Sequence, residues 1–252
     1  MADQTLAARP EPSPGARLAW GLLSTLILAA LISITNRSWV FGLAGVVGVF
    51  VHEYGHVLAI NALGFGPGRI TIVPFMGGAA TPRIPPSTEF RGVLIALAGP
   101  TFGLLAMIPF FFVYAYTYDR AWLGGAFFIA LINLVNLAPA PPLDGSKAVG
   151  PALAAIHPWV EKGALVLVGG AAVLWAVSTH NFLFGALLAI GVLGALRRGA
   201  LRPYARKLTA PEWLGSLALY AAALVLCTLA FYLSLDGRLA FAFAPVASLF
   251  GR

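Results

Sequence analysis

Residues 39–63 read WVFGLAGVVGVFVHEYGHVLAINAL, an unbroken apolar run with His52, Glu53 and His56 inside it. A helix of this length rises far enough to cross the hydrocarbon core of a bilayer. The whole chain supports that reading. Of 252 residues, 60% are hydrophobic and only 10% are charged, and the mean hydropathy is +0.87. Soluble domains are about 45–50% apolar and about 25% charged, and one soluble core could not hide this much apolar surface. A soluble globular enzyme and a disordered chain are therefore excluded. The fold class is an all-α polytopic membrane protein with six to seven transmembrane helices.

Working outward, residues 1–16 carry Pro10, Pro12 and Pro14 and read as a flexible cytoplasmic tail. Residues 17–252 form the membrane-embedded domain. Besides 39–63, the predicted spans are 18–34, 92–116, 122–137, 163–177, 182–196 and 213–235, the fifth and sixth being short. Between the second and third spans, residues 64–83 hold Gly64, Gly66, Pro67, Gly68, Pro74, Gly77, Gly78 and Pro82 around the β-prone Ile70-Thr71-Ile72-Val73. This predicts a membrane-dipping β-hairpin or re-entrant loop. Pro139, Pro141 and Pro142 end the fourth span, and residues 146–157 read as a short helix.

The net charge is +7. In this class a basic excess signals topology rather than nucleic-acid binding. With seven spans and the N-terminus inside, only Arg37, Arg120, Arg238 and Arg252 of the 16 Lys and Arg residues lie outside. The N-terminus is accordingly assigned to the cytoplasm. The basic loop 197–207 is expected to sit on anionic head groups. His157 is expected in a solvated loop and His180 in a tight turn. The single cysteine, Cys227, reads as a packed or lipid-facing structural thiol.

Acids are costly within a span. Seven of the nine fall in predicted tails or loops (Asp3, Glu11, Glu89, Asp119, Glu161, Glu212 and Asp236), leaving Glu53 and Asp144. His52-Glu53-Tyr54-Gly55-His56 is an H-E-x-x-H motif. On a helix the two histidines share one face about 6 Å apart along the axis, so both can grip one metal ion. Glu53 is rotated about 100° from His52, near enough to reach a water at the metal without being a ligand. A zinc site needs a third protein ligand. Asp144 lies at the same predicted membrane depth as the motif and is the best candidate, the alternative being a plain turn residue before Gly145.

Together with Asn136-x-x-Pro139-x-x-Pro142-Leu143-Asp144-Gly145, the motif resembles the site-2 protease family of intramembrane zinc metalloproteases. The likeness covers about residues 39–146. It implies one Zn²⁺ held by His52, His56 and Asp144, with Glu53 as general base and Asn136 as a polar helper to the substrate backbone or the oxyanion. It also implies a hairpin dipping toward the active site; Gly77 and Gly78 there read either as a plain turn or as part of an unpaired edge to which an unwound substrate strand adds. The third span departs from the family: Ala98-Gly99-Pro100-Thr101-Phe102 is followed by Gly103 where members often carry Asn. The implied partner is a transmembrane protein substrate of the single-span kind, met within the lipid bilayer. The implied location is the inner membrane of a bacterium or archaeon, with the active site toward the cytoplasmic side. A homo-oligomer is left open. Two other classes use the same ligands: a non-proteolytic metal-binding regulator or chaperone, and a transporter. An intact Glu53 argues against the first, and the lack of a second copy of the motif argues against the second.

Overall fold

The computed structural model describes residues 14–73, 77–180, 182–197 and 206–235. They form ten α-helices and one hairpin: α1 (Pro14–Thr35), α2 (Trp39–Ala62), β1 (Arg69–Val73), β2 (Gly77–Thr81), α3 (Glu89–Gly103), α4 (Met107–Thr117), α5 (Arg120–Asn136), α6 (Asp144–Ala148), α7 (Gly150–Ile156), α8 (Pro158–Ser178), α9 (Phe182–Arg197) and α10 (Ala210–Leu235). Four helical stretches are long and apolar enough to cross a membrane: Trp39–Ala62, Glu89–Thr117, Pro158–Ser178 and Ala210–Leu235. The apolar stretches Leu22–Thr35 and Arg120–Asn136 are shorter. Exposed side chains such as Leu26, Ile34, Leu167, Leu174 and Val225 coat the outer helix faces, as expected where lipid is the solvent.

α2 is the hub. It packs on α1, α3, α5 and β2. One apolar core joins it to the rest through Val40, Ala44, Met107, Phe110, Phe111, Ala126 and Ile129. A second joins α3, α6 and α10 through Val93, Ala96, Leu97, Ala148, Ala223 and Cys227. Cys227 is the packed thiol of this core, 3.8 Å from the Pro100 carbonyl.

The predicted third span is one apolar stretch broken by a 3₁₀ turn at Leu104–Ala106. Pro109 has no N–H for the Leu105 carbonyl, so the α-helical ladder loses a rung at that point. Pro100 removes a second rung inside α3. The hairpin lies where the Gly/Pro-rich segment predicts it, antiparallel with Ile70 opposite Ala80 and Ile72 opposite Gly78. The fifth span starts earlier than its apolar pattern suggests, because Pro158 takes the first helical position and His157 caps it. The His157 Nδ1 accepts the Trp159 N–H at 3.2 Å. His157 is thus an exposed residue of the connection, as expected, and also the cap of α8.

One further expectation needs correction. Glu89 is no free loop acid, being 1% exposed at the start of α3. It accepts from Lys207 Nζ at 2.8 Å and from the Leu208 N–H at 3.3 Å. Lys207 and Arg206 are therefore used internally, Arg206 pairing with Glu212 at 2.6 Å. The exchange is completed by Glu89 N–H to Arg206 O and Arg206 N–H to Ser87 O. This clip ties the entry of α10 to the entry of α3. Residues 198–205 of the basic loop lie outside the described residues.

Candidate metal centre

α2 buries His52, Glu53 and His56 at 3%, 8% and 6% exposure. Three ionisable groups in five residues survive burial only when each has a partner. The His52 ring meets Asn133 Oδ1 at 2.9 Å through Nδ1. The His56 ring meets the Ile95 carbonyl at 2.7 Å, also through Nδ1. Glu53 Oε2 accepts the Ala80 N–H at 2.8 Å.

These partners fix the tautomers. A carbonyl only accepts, so His56 carries its hydrogen on Nδ1. The Asn133 amide nitrogen donates to Ile129 O at 2.8 Å, which turns Oδ1 toward His52 and places that hydrogen on Nδ1 as well. In the neutral rings that metal ligation requires, both Nε2 atoms are then bare and aimed at one point. Asp144 Oδ2 supplies the third atom, 3.0 Å from His52 Nε2 and 3.1 Å from His56 Nε2, which are 3.2 Å from each other.

Three electron pairs thus converge with no hydrogen among them, an arrangement that a cation between them resolves. An ion bound tetrahedrally at about 2.0–2.1 Å spaces its ligands about 3.3 Å apart. The observed triangle is close to that spacing on every side. His52, His56 and Asp144 could therefore hold a metal ion, and they are the one such group among the described residues.

Asp144 comes from a different part of the chain, and the prolines explain its arrival. Leu137 and Ala138 would bond the N–H groups of residues 141 and 142, both prolines, so the α5 helix stops. The freed Leu137 carbonyl is taken by Tyr220 Oη from α10 at 2.7 Å. The chain turns and restarts as α6 with Asp144 as its first residue. Lys147, one turn later, holds Oδ1 at 3.2 Å and leaves Oδ2 for the histidines.

α3 must approach closely for this to work. A Cβ on Gly55 would stand 2.6 Å from the Ala98 carbonyl. A Cβ on Gly99 would overlap His56 Nε2 and stand 2.8 Å from His52 Nε2. The Ala98-Gly99-Pro100 segment therefore forms the wall of the centre facing the two imidazoles. β2 closes the side over Glu53, where a Cβ on Gly78 would stand 2.5 Å from Glu53 Cγ. Gly77 pairs with Val73 at the start of β2.

Asn136 is not in this cluster: its amide donates to Ile132 O within its own helix at 3.0 Å. Asn133, one turn earlier on α5 and 0% exposed, is the asparagine that touches the centre. Sequence reading passed over it, although an amide in an apolar helix three residues before Asn136 was a visible signal. Comparison of the chain with protein-family models, curated proteins and solved structures returns no match, so its function has to be read from this centre.

Proposed function

We propose that the protein is an intramembrane zinc metalloprotease of the site-2 type, cutting peptide bonds within or near transmembrane segments. The observation that carries this reading is a buried two-histidine, one-aspartate trio with a carboxylate next in sequence to its first histidine. That carboxylate faces a strand rather than the trio's own ligands. A binding site alone has no need of it.

His52, His56 and Asp144 would hold Zn²⁺, which when bound supplies a Lewis acid that acidifies water and polarises a carbonyl. The remaining chemistry belongs to the chain. Glu53 takes a proton from the water that attacks the scissile carbonyl carbon; as the C–N bond breaks, it returns that proton to the leaving amine. The Ala80 N–H keeps the Glu53 carboxylate oriented. A helical substrate must unwind before any carbonyl is open to attack. The edge of β1 that β2 leaves unpaired, about Ile70–Val73, would offer an N–H and C=O row to that strand, replacing hydrogen bonds that lipid cannot supply. Asn136, if it acts, does so after leaving its bond to Ile132.

Given seven crossings, the positive-inside count supports a cytoplasmic N-terminus, and with it a centre that opens toward the cytoplasmic side of a bacterial or archaeal inner membrane. The substrate class is a single-span membrane protein. The test is cleavage in vesicles that hold the zinc-loaded full chain and a single-span polypeptide with a helix-weakening Gly-Pro segment. Products cut inside the apolar segment, lost on chelation and recovered with zinc, are expected. An intact substrate after prolonged incubation, with zinc bound, contradicts the reading.

A second expectation concerns the hairpin. In Gly78→Val the added side chain meets Glu53, lifts β2 and breaks the Ala80–Glu53 bond. Displacements near 1 Å at a reacting group cost about 10²-fold. Cleavage should fall by about that factor while metal content, measured on the same sample, stays at the wild-type level.

A further inference from the structure

We infer that Asn133 is a positioning residue for the metal centre, fixing which nitrogen His52 presents. The inference rests on the reading of His52, His56 and Asp144 as metal ligands and adds to it a fourth side chain from α5. Asn133 is 0% exposed. Its Oδ1 is 2.9 Å from His52 Nδ1, and its Nδ2 donates to Ile129 O at 2.8 Å. The second bond sets the direction of the first, because turning the amide over would face Oδ1 toward the Ile129 carbonyl, two acceptors with no hydrogen between them. His52 therefore keeps its hydrogen on Nδ1 and offers Nε2 to the centre.

The third side of the amide is set by Gly103. A Cβ there would overlap Asn133 Oδ1 and stand 2.8 Å from Nδ2. The glycine at position 103, where an asparagine would resemble the family more closely, is thus the space that the α5 amide occupies. His56 needs no such side chain, since a backbone carbonyl, that of Ile95, does the same for it. His52 depends on one residue for its orientation, and that residue lies 81 positions away.

Outer partners of metal-ligating histidines typically contribute 10–100-fold to metal affinity. The test uses the detergent-solubilised full chain, stripped of metal and titrated with Zn²⁺ against a chelating competitor. A Co²⁺-loaded sample is read by its visible ligand-field bands. Asn133→Leu, similar in size but without an acceptor, should bind Zn²⁺ about 10–100-fold more weakly and shift the Co²⁺ bands. Asn133→Asp, which still accepts from Nδ1–H, should recover most of the loss. Gly103→Ala, which pushes the amide aside while leaving residue 133 unchanged, should lose affinity in the same direction.

A residue that merely packs would lower the melting temperature of the metal-free protein and leave affinity and bands alone. Asn133→Leu or Gly103→Ala binding Zn²⁺ as tightly as wild type, with unchanged Co²⁺ bands, overturns the inference and leaves the metal centre standing. Wild-type protein that takes up neither metal overturns both.

Discussion

Glu53→Gln keeps the metal content of the wild type and lowers cleavage by about 10²–10⁴-fold, the usual contribution of a positioned general base. Glutamine has nearly the shape of glutamate and can still accept the Ala80 N–H through its carbonyl oxygen, so β2 stays in place. His52, His56 and Asp144 are untouched, and none of their contacts passes through residue 53. What is lost is the ability to take a proton from water and hand it on. The measurement is paired: elemental analysis and cleavage rate on one preparation. Loss of metal together with activity would make Glu53 structural, and cleavage at the wild-type rate would remove it from the chemistry.

Gly99→Ala is the second large effect, and it arises from a single methyl group. The added Cβ overlaps His56 Nε2 and stands 2.8 Å from His52 Nε2. Retreat of α3 from α2 is opposed by α6 and α10, which also pack on α3. The histidines must turn away, and the convergence of their Nε2 atoms with Asp144 is lost. A drop in zinc affinity of 100-fold or more is on the order expected when a ligand itself is displaced, since outer-shell loss alone costs about 10–100-fold. The melting temperature should also fall, because overpacking typically costs about 1–3 kcal/mol. Wild-type zinc affinity in this variant would mean that α3 does not stand where the geometry puts it.

Much of this architecture is written locally in the chain. The apolar run 39–63, the Gly/Pro-rich hairpin and the proline stop after Asn136 all act over a few residues, so periodicity and turn chemistry reveal them. The His52–His56 pair is visible for the same reason, since four residues on a helix form one face. Asp144 is harder: it reaches the trio only because three prolines and Tyr220 turn the chain. Shared membrane depth, the elimination of the other acids and the family likeness of the segment around Leu143-Asp144-Gly145 are the clues to it.

What sequence reading missed is tertiary. Asn133, rather than Asn136, faces His52 because α5 presents that side of itself to α2, and helix rotation is not set by spacing alone. Gly103 reads as a departure from the family until α3 is seen against α5, where it makes room for the Asn133 amide. Glu89 looked like a loop acid because its partner, Lys207, is 118 residues away. In each case the deciding contact joins two elements that no local pattern pairs.

The most direct measurement is metal stoichiometry by elemental analysis on detergent-purified full-length chain, wild type beside Asp144→Ala. If the trio is a metal centre, wild type carries about one zinc per chain. The variant, with two nitrogens and no carboxylate, should lose it or hold it much more weakly. Wild type without metal after gentle purification and zinc resupply would contradict the metal centre and the protease reading built on it. Full zinc retention in Asp144→Ala would contradict the three-ligand site.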